Sequence, residues 1–230
     1  MSLSPNFNAR APSVPLQYIV LHYTGMETPH AALERLRDPA AQVSAHYMID
    51  EAGALFSLVP ESERAWHAGA SFWREETDLN SASLGIELVN PGHVFGYRPF
   101  PHAQIASLKI LLHEIIARHG FDSARCLLAH SDIAPCRKED PGEFFPWEEL
   151  AREGLGFWPV PTDFTPEKEG ECESLLRQIG YDLHNPKAAL LAFQRRYAPQ
   201  CLTGVSDPDT LARLRAVALF LSTGLRATLR

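Results

Sequence analysis

Two apolar runs in this chain each end on a histidine, Tyr18-Ile19-Val20-Leu21-His22 and Leu127-Leu128-Ala129-His130, and the turn after the second carries Lys138 and Asp140. Such runs read as short buried strands whose last residues lie at the rim of a sheet, so each imidazole should emerge beside a loop. Two imidazoles and one carboxylate are enough to hold a catalytic zinc and leave its fourth position open to water. Metal-assisted hydrolysis is therefore the first functional expectation.

The 230 residues suffice for one large domain or for an ordinary one with a small companion, and 45% hydrophobic with 21% charged residues is a globular profile with a sizeable core. A net charge of -7 supplies no positive field for nucleic acid, so no nucleic-acid partner is expected. Apolar runs such as Ala216-Val217-Ala218-Leu219-Phe220-Leu221 fall short of the roughly 20 residues of a membrane span. The opening Met1-Ser2-Leu3-Ser4-Pro5 has neither the charged nor the apolar region of a secretory leader. The expected location is cytoplasmic as the chain stands, or the periplasm and envelope if a leader was removed. Cys126, Cys136, Cys172 and Cys201 form no C-x-x-C pair, which argues against a zinc finger; free thiols are expected, with a Cys172–Cys201 bridge as the alternative. The expected oligomeric state is a monomer.

Residues 44–49 and 54–59 flank Asp50-Glu51-Ala52-Gly53, a tight hairpin connection. Residues 83–89 place Leu84, Ile86 and Leu88 on one face of a strand and Glu87 on the other, an acid in an apolar setting. Pro101 to His119 carries Ile105, Leu108, Leu112, Ile115 and Ile116 at helical spacing, with Gly120 as its stop. After the strand that ends at His130, Pro135 and Pro141-Gly142 predict a loop through Asp140. Pro146 opens a short helix. Three prolines among residues 159–166 mark a stiff linker, and three helical segments follow, from Glu171, Pro186 and Asp207-Pro208. The expected domains are 1–158, the linker 159–166, and a helical module 167–230.

Five blocks now stand in order: Val20-Leu21-His22-Tyr23-Thr24, Val43-Ser44-Ala45-His46-Tyr47, Ala65-Trp66-His67-Ala68-Gly69, Leu84-Gly85-Ile86-Glu87-Leu88, and His130 to Gly142. Together they make the first domain resemble the zinc-dependent N-acetylmuramoyl-L-alanine amidase family, the amidase-2 or peptidoglycan-recognition fold. Ile179-Gly180-Tyr181-Asp182, Phe193-Gln194-Arg195-Arg196 and residues 204–210 are similar to a three-helix peptidoglycan-binding module. The pairing resembles the two-domain AmiD-type members.

The resemblance implies an α/β fold, with a mixed central sheet flanked by helices on both faces and a small C-terminal three-helix domain. It implies His22, His130 and Asp140 as ligands of Zn2+, a cation that brings the pKa of water from 15.7 toward about 7. It implies Glu87 as the group that takes the proton of water and passes it to the departing amine. Lys138, two residues before Asp140 and on the same side if that segment is extended, would stabilise the developing oxyanion. Asp132 competes with Asp140 for the third ligand position, but its Asp-x-x-Pro setting favours a local cap. His46 and His67 are expected to line the cleft as substrate-binding residues or to orient the ligands from behind.

Some relatives use cysteine as third ligand and a tyrosine before the histidine matching His46; here these are Asp140 and Ala45. Members that recycle muropeptides tend to carry arginine where this chain has Gln42. The implied reaction is hydrolysis of the amide joining the lactyl group of N-acetylmuramic acid to L-alanine, with peptidoglycan or muropeptide fragments as partners. A non-catalytic peptidoglycan receptor and a zinc peptidase cutting elsewhere in the stem are the competing readings.

Overall fold

The computed structural model describes residues 3–223; Met1, Ser2 and residues 224–230, which the expected domain limits include, lie outside the described residues. The chain runs β1 (Phe7–Ala9), β2 (Tyr18–Tyr23), α1 (Pro29–Arg37), β3 (Tyr47–Ile49), β4 (Leu55–Ser57), β5 (Glu63–Ala65), α2 (Leu79–Ala82) and β6 (Ser83–Leu88). It continues through α3 (Gly92–Phe95), α4 (His102–His119), β7 (Leu127–Ala129), α5 (His130–Ile133), α6 (Trp147–Arg152), α7 (Glu171–Ile179), α8 (Pro186–Tyr197) and α9 (Pro208–Thr223).

The main sheet has five strands in the order β4-β3-β6-β2-β7. β3, β6, β2 and β7 run parallel and β4 is antiparallel at one edge. The predicted hairpin is the β3–β4 pair, its turn held by Asp50, whose Oδ1 accepts from the Ala52 and Ala54 N–H groups. β1 and β5 form a separate antiparallel ribbon. The architecture is α/β with a mixed central sheet, as expected.

Strand alternation divides this sheet into two faces. Ile19, Leu21, Leu84, Ile86 and Leu88 point to one face, where α4 lays down Ile105, Leu108, Leu112 and Ile115. Val20 and Leu128 point to the other and pack with Leu176, Ile179, Phe193, Leu214 and Val217 from α7, α8 and α9. Each large side chain so covered contributes roughly 1.5–3 kcal/mol. The C-terminal helices thus share one apolar core with the sheet, across a stretch, 157–168, that has no regular secondary structure. Arg215 on α9 fastens that stretch, donating to the Thr165 carbonyl at 3.0 Å and to the Glu171 carboxylate at 2.8 Å. α1 covers the remaining part of the second face with Ala32 and Leu36 against Met48.

One expected loop is partly helical. Residues 130–133 form α5 directly after β7, because Asp132 turns back to accept the Ala129 N–H at 2.9 Å and Pro135 falls beyond the last helical residue. The segment that follows is a turn, the Lys138 N–H donating to the Ala134 carbonyl at 3.0 Å, so the extended geometry expected for Lys138 and Asp140 is not what aligns them. Among the described residues no helix is long and apolar enough to cross a membrane.

Candidate metal centre and cleft

Topology assembles the site from three neighbouring strands. His22 and Glu87 are register partners on β2 and β6, so alternation puts both on the face that carries Val20 and Gly85. β7 flanks β2 on its other side and ends immediately before His130. The turn after α5 then returns Asp140, whose peptide bond to Pro141 is cis.

The three groups expected from sequence converge. His22 Nδ1 and His130 Nδ1 stand 2.9 Å apart, and Asp140 Oδ2 lies 3.1 Å from the first and 2.9 Å from the second. All three side chains are buried. Among the described residues they are a His-His-Asp group able to hold a metal ion.

The donor set fits zinc on its own chemistry. His130 Nε2 faces the Ala68 carbonyl at 3.1 Å and His22 Nε2 faces His67 Nδ1 at 3.0 Å, so both outward nitrogens are engaged and both Nδ1 lone pairs turn inward. Two bare nitrogens beside a carboxylate oxygen repel one another unless a cation or proton lies between them. Burial, and then the charge of His130, lower the His22 pKa to about 4, which keeps the ring neutral as a ligand must be. Burial alone would raise the Asp140 carboxyl, but His130 and His22 outweigh it and hold the group far below the usual carboxylate range.

A cleft of about 370 Å³ opens over this cluster, lined by His22, His67, Glu87, His130, Lys138 and Asp140 among others. A second cavity adjoins it toward Gln42, Arg64 and Trp66. Glu87 Oε2 is buried without a hydrogen-bond partner. Burial raises its pKa well above the ordinary glutamate value, with the Asp140 charge adding to the shift and Lys138 opposing it. A partnerless carboxyl with a raised pKa, next to a cation site, is suited to exchanging protons with something in the cleft.

His46 and His67 part company. His46 is fully buried and stands away from both cavities; its Nδ1 accepts the Gly85 N–H at 2.9 Å, and its Nε2 faces the Glu63 carbonyl at 3.1 Å. Burial, then the Arg10 guanidinium, lower its pKa to about 3. It props β6 rather than touching the cleft. His67 lines both cavities, and its ring lies flat enough on Gly85 that a Cβ there would stand 2.4 Å from Cγ.

Asp132 takes no part in the cluster. It is buried, accepts from Ala129 N–H at 2.9 Å, from the Tyr181 hydroxyl at 2.7 Å and from Arg196 Nη1 at 2.5 Å. The Phe193-Gln194-Arg195-Arg196 run that suggested a binding module is buried throughout. Arg195 donates to Glu139, the neighbour of Asp140, at 3.2 Å. Gln194 ties α8 to the following loop, donating to the Val205 carbonyl at 2.9 Å. All four cysteines are free thiols.

Three participants went unseen in the sequence. The Ala68 carbonyl lies inside a family block but, as a backbone group, has no side-chain signal, and Asn80, which accepts from the His67 and Ala68 N–H groups at 3.0 and 2.8 Å, lies outside the blocks. His93, which the family blocks leave out, sits between Tyr23 Oη at 2.9 Å and the Glu143 carboxylate at 3.1 Å, stacked on Tyr97.

A mixed sheet that presents His, His and Asp at one rim beside an unpartnered glutamate defines a candidate metal-dependent hydrolase. Residues 12–143 match the N-acetylmuramoyl-L-alanine amidase family Amidase_2, and the chain belongs to that family. The amidase AmiD of Escherichia coli is 36% identical to it over 237 aligned positions, spanning 91% of this chain and 84% of that protein. A solved complex of E. coli AmiD with the substrate anhydro-N-acetylmuramic acid-L-Ala-D-gamma-Glu-L-Lys gives a TM-score of 0.80 at 35% identity, covering 90% of this chain and 91% of the other. AmpDh3 of Pseudomonas aeruginosa, solved with an anhydromuramic pentapeptide, gives 0.79 at 31% identity, covering 92% and 95%.

Proposed function

We propose that this chain is a zinc-dependent N-acetylmuramoyl-L-alanine amidase that hydrolyses the amide between the lactyl group of N-acetylmuramic acid and the L-alanine of the stem peptide. The observation that carries this reading is the convergence of His22 Nδ1, His130 Nδ1 and Asp140 Oδ2 beside the unpartnered Oε2 of Glu87. The relatives solved with anhydromuropeptides support the substrate class, peptidoglycan or its soluble fragments.

In this reading His22, His130 and Asp140 hold Zn2+, which when bound supplies an acidified water and polarises the scissile carbonyl. Glu87 accepts the proton of the attacking water and delivers it to the departing amine, a task for which a raised pKa lowers the cost of carrying the proton between the two steps. Lys138, on the cleft wall, faces the charge that develops on the carbonyl oxygen. The cations Arg35, Arg64 and Arg137 around the two cavities suit the carboxylates of a stem peptide.

The test is digestion of purified sacculi and of an anhydromuropeptide, with mass analysis of products and with Glu87→Ala and a zinc chelator as controls. The expected products are an intact glycan and a free peptide beginning with L-alanine, abolished by either control. Cleavage elsewhere in the stem would make the chain a peptidase. Binding without cleavage by the zinc-loaded protein would make it a receptor. Full turnover by Glu87→Ala would remove Glu87 from its role.

A further inference from the structure

Both candidate metal imidazoles are oriented from behind by two consecutive residues. His130 Nε2 donates to the Ala68 carbonyl at 3.1 Å, and His22 Nε2 meets His67 Nδ1 at 3.0 Å. The direction of the second bond follows from the next link outward. The Ser83 hydroxyl donates its hydrogen to the Leu79 carbonyl, so toward His67 Nε2, 3.4 Å away, it is left as an acceptor. His67 therefore carries its hydrogen on Nε2, and its Nδ1 accepts from His22 Nε2. Each metal imidazole is left with a bare Nδ1 aimed at Asp140.

The segment that does this orienting is itself held at one point. Asn80 Oδ1 accepts from the His67 N–H at 3.0 Å and from the Ala68 N–H at 2.8 Å, spending both lone pairs of one oxygen on the two residues that face the two histidines. Asn80 is buried on α2, the turn that runs straight into β6 and so toward Glu87. Its own carbonyl is fixed by Arg10 Nη1 at 3.1 Å, which also donates to the Ser81 and Ser83 carbonyls at 2.7 and 3.1 Å. Opposite, the absent Cβ of Gly85 gives the His67 ring its seat.

We propose that Asn80 is a positioning residue of the metal centre: by clamping the His67 and Ala68 amides with a single oxygen, it fixes the Nε2–H tautomer of both His22 and His130. The inference rests on the reading of His22, His130 and Asp140 as metal ligands. Loss of such outer partners typically weakens a metal site by about 10–100-fold, because the ligand rings then sample the wrong tautomer and orientation.

Two measurements test it, neither of which needs turnover. In the zinc-loaded protein, nitrogen-15 spectra of the imidazoles are expected to show His22 and His130 both protonated at Nε2 and ligating through Nδ1. Ligation through Nε2 by either in the unmodified chain would overturn the proposal, whatever the reaction proves to be. In competition with a chelator, Asn80→Ala is expected to weaken zinc by about 10–100-fold, while Asn80→Asp, which keeps an oxygen for both amides, stays within a few-fold of the parent. Unchanged zinc affinity in a folded Asn80→Ala, or an Asn80→Asp as weak as the alanine variant, would also overturn it. Should Asn80→Ala fail to fold, the spectra and Asn80→Asp still decide. Absence of amidase products with the expected tautomers and affinities would instead count against the proposed reaction alone.

Discussion

Arg196 on α8 places its Nη1 2.5 Å from Asp132 Oδ2 on α5, with both side chains buried. The same carboxylate accepts from the Tyr181 hydroxyl and from the Ala129 N–H one residue before His130. Arg195 reaches Glu139 next to Asp140. α8 therefore grips both ends of the segment that delivers the second and third metal-ligand candidates. Removing the carboxylate strands a guanidinium in a dry environment, and breaking a buried pair in this way costs about 3–5 kcal/mol. Asp132→Ala is expected to lose stability on that scale in urea unfolding. A loss below about 1 kcal/mol would show that the pair is not a principal tie.

Lys138 is expected to act on the chemical step alone. Lys138→Ala should lower kcat by about 100-fold or more with little change in KM, since a donor to a developing oxyanion works only in the transition state. Zinc affinity should not fall, because no ligand of the cluster hydrogen-bonds to Lys138 and its charge, which disfavours a charged His22, opposes rather than supports a bound cation. A rise in KM at constant kcat would instead make it a substrate anchor.

Acid sensitivity should have a contribution from His46. Its folded pKa of about 3 lies below the unfolded value of about 6.5, because burial and Arg10 disfavour the charged ring. Below pH 6.5 the unfolded chain binds a proton that the folded one does not, so stability is full above that pH and falls as pH drops from about 6.5 toward 3, by roughly 1.4 kcal/mol per unit for one such group. Urea midpoints measured at pH 7 and pH 5 should differ accordingly. In His46→Gln the decline should be shallower, and an unchanged slope would sink this assignment.

Gly142 closes the turn that carries Asp140, in the left-handed region at φ +87°, and a Cβ there would lie 2.3 Å from Tyr97 Oη. That hydroxyl donates to the Pro141 carbonyl and accepts the Phe144 N–H, both at 2.9 Å. Gly142→Ala meets both a strained backbone and a rigid ring. It is expected to cost about 2–4 kcal/mol and to weaken zinc through Asp140, as read by thermal melts and chelator competition. A variant with a native melting temperature and native zinc affinity would contradict this.

How much was legible follows the range of the signals. His22 and Glu87 could be placed because each sits in an apolar strand whose period of 2 assigns its face, and His130 because it directly follows one; the family blocks around all three are local. The helix over residues 102–119 and its stop at Gly120 were readable for the same reason, a period and a cap. Asn80 was not, since a lone asparagine two residues after Asp78 looks like any turn residue until His67 is folded over it. The union of the C-terminal helices with the sheet was also hidden. Val20 and Leu128 are ordinary members of apolar runs, and nothing in their sequence says that Phe193 will cover them. The prolines after 158 pointed instead to independence, because stiffness of a connection says nothing about whether the parts it joins dock. α5 was missed because its nucleating contact is a side chain, Asp132, reaching back to Ala129.

That docking gives the C-terminal tail a status its sequence disguises. A piece that a swap experiment would treat as an interchangeable accessory is the roof over β2 and β7, and a fragment ending before it would carry Val20, Leu128 and a stranded Asp132 into water. Grafting a carbohydrate-binding module in its place onto residues 1–158 would have to reproduce that roof, arginine included, before any gain in wall targeting could register.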